Sequence, residues 1–159
     1  MIFDVSSQNV VLTVSDIYDV VKKETSHNFR AFRSVSAQQG AEVNTLYQDM
    51  VINDADEDSL DIQLDVLIPE IYQDIRAYTD SYSVTSSQIT FSIKLKDENA
   101  GTRLKPLFEK VIQNKLLAWW YKMRNPQLAQ QYTESASNTM SAIRSIVIPT
   151  FGVRRLRQI

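Results

Sequence analysis

Acidic side chains at regular spacing are the first feature of this 159-residue chain with chemical potential. Asp54, Asp56, Asp58 and Asp65 stand at relative positions 1, 3, 5 and 12, where a calcium loop places its oxygen ligands. The match fails where that chemistry is strict. Position 6 is Ser59 instead of the glycine the turn demands, and position 12 is Asp instead of a bidentate Glu. No second copy of the pattern exists, and an acidic helix N-terminus accounts for the same residues. The single histidine, His27, has Ser26 beside it, but no Gly-x-Ser-x-Gly elbow presents a nucleophile. Neither Gly-x-Gly-x-x-Gly nor a P-loop is present, so no nucleotide or other cofactor is implied. Without cysteine the chain cannot build disulfides, zinc knuckles, Fe–S clusters or a thiol nucleophile. One histidine leaves little for a His-rich metal site or for proton transfer near neutral pH. The expectation is a protein that is not an enzyme, with no catalytic, cofactor or metal site.

Charge carries more information than these missing motifs. The total is 17 Lys and Arg against 19 Asp and Glu, for a net charge of −2. Residues 34–75 nevertheless hold ten acids and no base, whereas residues 101–159 hold ten bases against Glu109 and Glu134. Such blocks can pack on each other within one molecule or lie on separate solvated faces. They also suit a head-to-tail contact between subunits, which closes into a ring when the rotation permits. A third reading sets the basic half on nucleic acid or on an acidic partner.

Two aromatic and cationic stretches invite the same question. Trp119, Trp120 and Tyr121 are consecutive, and successive helical residues point about 100° apart, so three large rings cannot share one core face. Trp119 fits the apolar stripe, which sends Trp120 or Tyr121 to its margin, under another element or at a subunit contact. The final stretch mixes Phe151, Leu156 and Ile159 with Arg154, Arg155 and Arg157 after a Pro/Gly break. It reads as a frayed end or as an arm that orders on a partner, its arginines pairing with acids.

The elements that must position these residues are mostly helical. Asn9–Val14 is β-branched and extended, and a helix follows on Ile17, Val20 and Val21, with Lys22 and Lys23 in its last turns. Residues 26–56 read as a loop or insertion. Leu60, Ile62, Leu64 and Val66 alternate like a strand, but Leu60, Leu64, Leu67, Ile68, Ile71, Ile75 and Tyr78 keep helical spacing for longer, which favours a helix over 58–79. Asp54, Asp56, Glu57 and Asp58 gather at its positive end, and Pro69 would kink it or begin a second helix. Ile89, Phe91, Ile93 and Leu95 alternate with polar residues as a half-buried strand, left through a turn at Asp97–Gly101. A helix over 102–124 carries a broad apolar face from Leu104 to Met123. Asn125-Pro126 then opens a final helix to about Ile148, so the two should form an antiparallel hairpin. The resulting class is mainly α with minor β. Residues 1–148 form a helical bundle with a long helix hairpin and a short strand or hairpin insertion, and 149–159 form an extended basic arm. Met1-Ile2-Phe3 runs directly into Asp4 with no basic region, and no apolar run approaches the ~20 residues of a membrane span, so the chain reads as intracellular and soluble.

The second half resembles the small head–tail connector, or adaptor, proteins of tailed bacteriophages, and within that group the neck ring proteins of crAss-like phages. The likeness rests on Leu67-Ile68-Pro69-Glu70, Ala77-Tyr78-Thr79, the stretch Leu116-Leu117-Ala118-Trp119-Trp120-Tyr121-Lys122-Met123-Arg124-Asn125-Pro126, and Leu12-Thr13-Val14 leading into a helix. What it implies is a structural virion protein at the neck/tail junction, made in the host cytoplasm. Its copies would form a ring, typically of twelve, beneath the portal protein and bind the next neck or tail protein. DNA would pass through the channel without sequence-specific binding. On this resemblance Asp54, Asp56, Glu57, Asp58, Trp120, Tyr121, Phe151, Arg154, Arg155 and Arg157 are the expected interface residues. The alternative is an intracellular helical module that binds nucleic acid or an acidic protein through its basic C-terminal half.

Overall fold

The β-branched-rich run Val10-Val11-Leu12-Thr13 makes the first element a strand, and apolar–polar alternation after Gln88 makes its partner. The computed structural model describes residues 6–36, 51–95 and 100–147. Strand β1 (Ser6–Thr13) leads into helix α1 (Val14–Ser36); a single 3-10 turn (Asp54–Asp56) precedes helix α2 (Glu57–Asp74). The hairpin of β2 (Thr79–Val84) and β3 (Gln88–Leu95) follows, and then the long helices α3 (Ala100–Tyr121) and α4 (Pro126–Val147). The class is mainly α with a small antiparallel sheet in the order β1-β3-β2. No helix among the described residues is long and apolar enough to cross a membrane.

Register puts one apolar face of the sheet against the helices. Val10 and Tyr82 lie opposite Phe91, while Leu12 and Val84 lie opposite Ile89, so these side chains share a face. Val10, Leu12, Ile89, Phe91 and Ile93 are buried there. Each such burial is worth about 1.5–3 kcal/mol relative to exposure. Phe91 stacks on Phe108 of α3, ring centroids 4.9 Å apart. A bulge at Asp80 shifts the register between Thr79 and Ser81.

Helix α3 is the central strut, touching β1, α1, α2 and, most extensively, α4. Leu104, Phe108, Val111, Ile112, Leu116 and Leu117 are all buried along it. The turn at 122–125 returns the chain at once, so α3 and α4 form the expected antiparallel hairpin. Asn125 caps α4: its Oδ1 accepts from the Leu128 N–H at 3.2 Å, and Pro126 opens the helix.

Several expectations need correction. Helix α1 runs to Ser36, so residues 26–36 are helical, not loop; the rest of the expected insertion, up to Met50, lies outside the described residues. Lys22 and Lys23 are therefore mid-helix. The buried stripe of α1 is Ile17, Tyr18, Val21 and Thr25, while Val20 is exposed, because the stripe follows the face toward α2 and α3. Helix α2 ends at Asp74, where the Ile75 N–H is shared between the carbonyls of Ile71 and Tyr72. Thr79–Val84 is a strand, not the end of a helix: its polar residues suit an edge strand with a mostly exposed surface. Pro69 neither ends α2 nor starts a new helix, since Leu67, Ile68 and Ile71 on either side are held in the core. Helix α3 begins at Ala100, two residues before the expected cap Thr102. Met123 leaves the apolar face altogether, being 88% exposed beyond the helix end. The turn residues 96–99 and the arm 148–159 lie outside the described residues.

Candidate interaction surfaces

The acidic run is organised by α1. Lys22 Nζ reaches Asp54 Oδ1 at 2.7 Å and Glu57 Oε1 at 2.6 Å. Hydrogen bonds to Asp54 and Glu57 raise the Lys22 pKa well above the ordinary lysine range, and the Lys22 ammonium holds the Asp54 carboxyl below its usual value. Asp56 works locally: its carboxylate accepts from the Asn53 N–H at 2.9 Å and so closes the turn before α2. One turn earlier on α1, Tyr18 donates to Asp61 at 2.5 Å, and burial followed by that carboxylate pushes the phenol far above its ordinary pKa. Buried Thr25 accepts from the Ile52 N–H at 3.1 Å and donates to the Lys22 carbonyl at 3.0 Å. Tyr18, Lys22 and Thr25 thus line one face of α1 and clamp the entry to α2. From Glu57 onward the calcium-like stretch is helix, so its acids are strung out along an axis and do not converge as in a loop. Among the described residues no three His, Cys, Asp or Glu side chains are placed to hold a metal ion.

The aromatic triplet reverses the expected order. Trp119 is partly buried at the margin, whereas Trp120 and Tyr121 are core residues, Tyr121 wholly so. Helix α3 is covered by α4 and α1 as well as by the sheet, so its buried arc is wider than a single stripe. Tyr121 stacks on Tyr132 of α4 with centroids 5.9 Å apart. Asn28 Nδ2 donates to both phenol oxygens, at 3.2 Å to Tyr121 and 2.8 Å to Tyr132, and Tyr132 in turn donates to Glu24 at 2.8 Å. Burial raises the pKa of both tyrosines, while the bond from Asn28 opposes the rise. The Arg124 guanidinium lies 3.7 Å from the centre of the Trp120 ring and donates to the Trp120 carbonyl at 2.8 Å. No sequence signal exposes this network, because Asn28 stands 93 residues before Tyr121 and 104 before Tyr132.

Beyond these joints, three surface features remain. An open groove of about 350 Å³ runs between α2 and the hairpin, with Glu70 and Asp74 on one wall and Lys115 and Arg144 on the other. Arg144 closes one end against Asp74 at 3.7 Å. His27 is exposed on α1, where Lys22, Lys23, Ser26 and Arg30 share its shallow depression. Finally, α2 presents outward Asp58, Asp65, Ile62 and Val66, all exposed, and the turn between α3 and α4 presents Lys122, Met123 and Arg124. Of the expected interface residues, Asp54 and Glu57 pair with Lys22, Asp56 closes a turn and Asp58 faces solvent. Trp120 and Tyr121 are core, and Phe151, Arg154, Arg155 and Arg157 lie outside the described residues.

No family model, curated protein or solved structure matches this chain.

Proposed function

We propose that the chain is a structural subunit of the head–tail connector of a tailed bacteriophage, assembled as a ring that binds the portal and the next neck or tail protein while DNA passes through. The supporting observation is the distribution of surface charge on a helical scaffold. The outward face of α2 is acidic and the tip of the α3–α4 hairpin is basic, and both carry exposed apolar residues. Opposite charges beside apolar residues on two different surfaces support a repeated, directional contact between copies. The polar side chains at the helix junctions, from Tyr18 and Lys22 to Asn28 and Tyr132, hold elements together. The order of helix, strand, aromatic-rich helix and final helix adds the resemblance on which the virion assignment rests. Binding of nucleic acid through the basic half draws less support: of the exposed bases on α3, Arg103 and Lys110 share a face two turns apart while Lys105 lies on another, so they make no continuous basic stripe along that helix.

The test is to mix the protein with the portal protein of the same virus and image the product by electron microscopy, with light scattering on the protein alone. A ring stacked on the portal is expected. A chain that stays monomeric and never joins a portal overturns the reading, and a salt-sensitive gel shift in its place selects the nucleic-acid module.

A further inference from the structure

Helices α2 and α4 run in the same direction. Asp74, at the end of α2, meets Arg144, near the end of α4, and the groove between the helices is lined by Gln63 to Asp74 on one side and Thr133 to Arg144 on the other. The first half of α2 and the 122–125 turn therefore lie toward the same end of the bundle. Each offers an exposed apolar surface, and the two are opposite in charge. On α2, Ile62 is 69% exposed and Val66 52%, with Asp58 one turn before Ile62 and Asp65 one turn after it on the same face. At the hairpin tip the exposed Met123 sits between Lys122 and Arg124. Core formation explains neither set: the buried side of α2 is Leu60, Leu64, Leu67, Ile68 and Ile71, and Met123 lies beyond the end of α3.

We propose that the Lys122-Met123-Arg124 tip of one copy docks on the Ile62–Val66 face of α2 in the next copy, with Lys122 facing Asp58 and Asp65. The flexible thioether of Met123 packs across the two branched side chains, and the flanking charges set direction and register. The two patches are different surfaces, so the contact is heterologous. Such a contact closes into a ring where the rotation between successive copies permits and otherwise runs on as a filament. Three apolar side chains supply far less than the roughly 800 Å² per partner of a stable interface. Each joint is accordingly weak alone and closes where other contacts hold copies side by side. This deepens the connector reading and rests on it for ring closure, though the contact itself does not need it.

The natural chain has no cysteine, so two introduced thiols report this contact alone. Protein carrying Ile62→Cys is mixed with protein carrying Met123→Cys, with and without portal, and oxidised. A disulfide-linked mixed dimer is expected in excess of the dimer from either variant alone. Adding Lys122→Glu to the second variant should lower the yield roughly tenfold, and Asp58→Lys in the first should restore it. Rings that assemble on the portal without the mixed link overturn this contact and leave the connector reading standing. The mixed link in a protein that never binds portal supports the contact and overturns the connector reading. Folded variants that give neither overturn both.

Discussion

Three tyrosines tie the fold to high pH. Tyr18, Tyr121 and Tyr132 all have pKa values raised above the ordinary 10.0, first by burial and, for Tyr18 and Tyr132, also by donating to the carboxylates of Asp61 and Glu24. The folded state therefore keeps phenol protons that the unfolded chain releases. The stabilisation is complete below the unfolded value and is lost as pH rises through the range above it. Stability should stay flat on this account up to about pH 10 and then fall by up to roughly 1.4 kcal/mol per pH unit for each buried tyrosine. Urea unfolding at a series of alkaline pH values, read by circular dichroism with tyrosinate absorbance alongside, checks this. Tyr132→Phe should shallow the slope, and an unchanged slope would mean that Tyr132 carries no linked proton.

At the scale of elements, α1 is a clamp whose two grips differ in strength. The Lys22 contacts look stronger, with two charged partners near 2.7 Å, yet Asp54 is open to water and such pairs contribute little. Thr25 is wholly buried, and replacing it with isosteric Val leaves the Ile52 N–H without its partner. The expected cost is about 1–3 kcal/mol, clearly more than that of Lys22→Ala, and thermal melts of the two variants decide the order. The sequence allowed one grip to be foreseen only as a gathering of acids and did not reveal the other, since neither the length of α1 nor its approach to Ile52 is encoded locally. Where periodicity ran long, in β3, α3 and α4, the elements were legible, and Asn125-Pro126 marked their turn by capping chemistry alone. The mixed signal at 60–66 was legible in another sense. Leu60 and Leu64 belong to the buried side of α2, while Ile62 and Val66 are the apolar residues left on its outer side, so strand-like alternation marked a helix with two apolar faces. Strand β2 stayed hidden because an edge strand of Thr, Asp, Ser and Tyr carries almost no apolar alternation. The order of burial in the aromatic triplet is not legible in the sequence, because a single apolar stripe answers to one neighbouring layer, whereas α1, α4 and the sheet all press on α3.

Across the whole molecule, the −10 and +8 charge blocks resolve into distinct roles. Asp54 and Glu57 meet Lys22, and Asp74 meets Arg144, so part of each block is neutralised within the chain. Three of the ten bases after residue 100 are Arg154, Arg155 and Arg157, which follow α4 in sequence. If these arginines serve a joint between proteins, changing all three to Glu should leave the thermal midpoint and the helical circular dichroism unchanged. In the connector reading the same change should weaken docking to the portal or the adjacent ring roughly tenfold or more, because like charges then face each other across the joint. The loss should shrink as salt rises, since exposed charges are screened beyond about 8 Å at physiological ionic strength. Charge reversal is more decisive than Ala replacement here, because it converts attraction into repulsion while keeping a long polar side chain in place. Sedimentation of portal mixtures at low and high salt separates the outcomes: assembly indifferent to the reversal removes the arm from the joint, and a lowered thermal midpoint assigns the arginines to the fold.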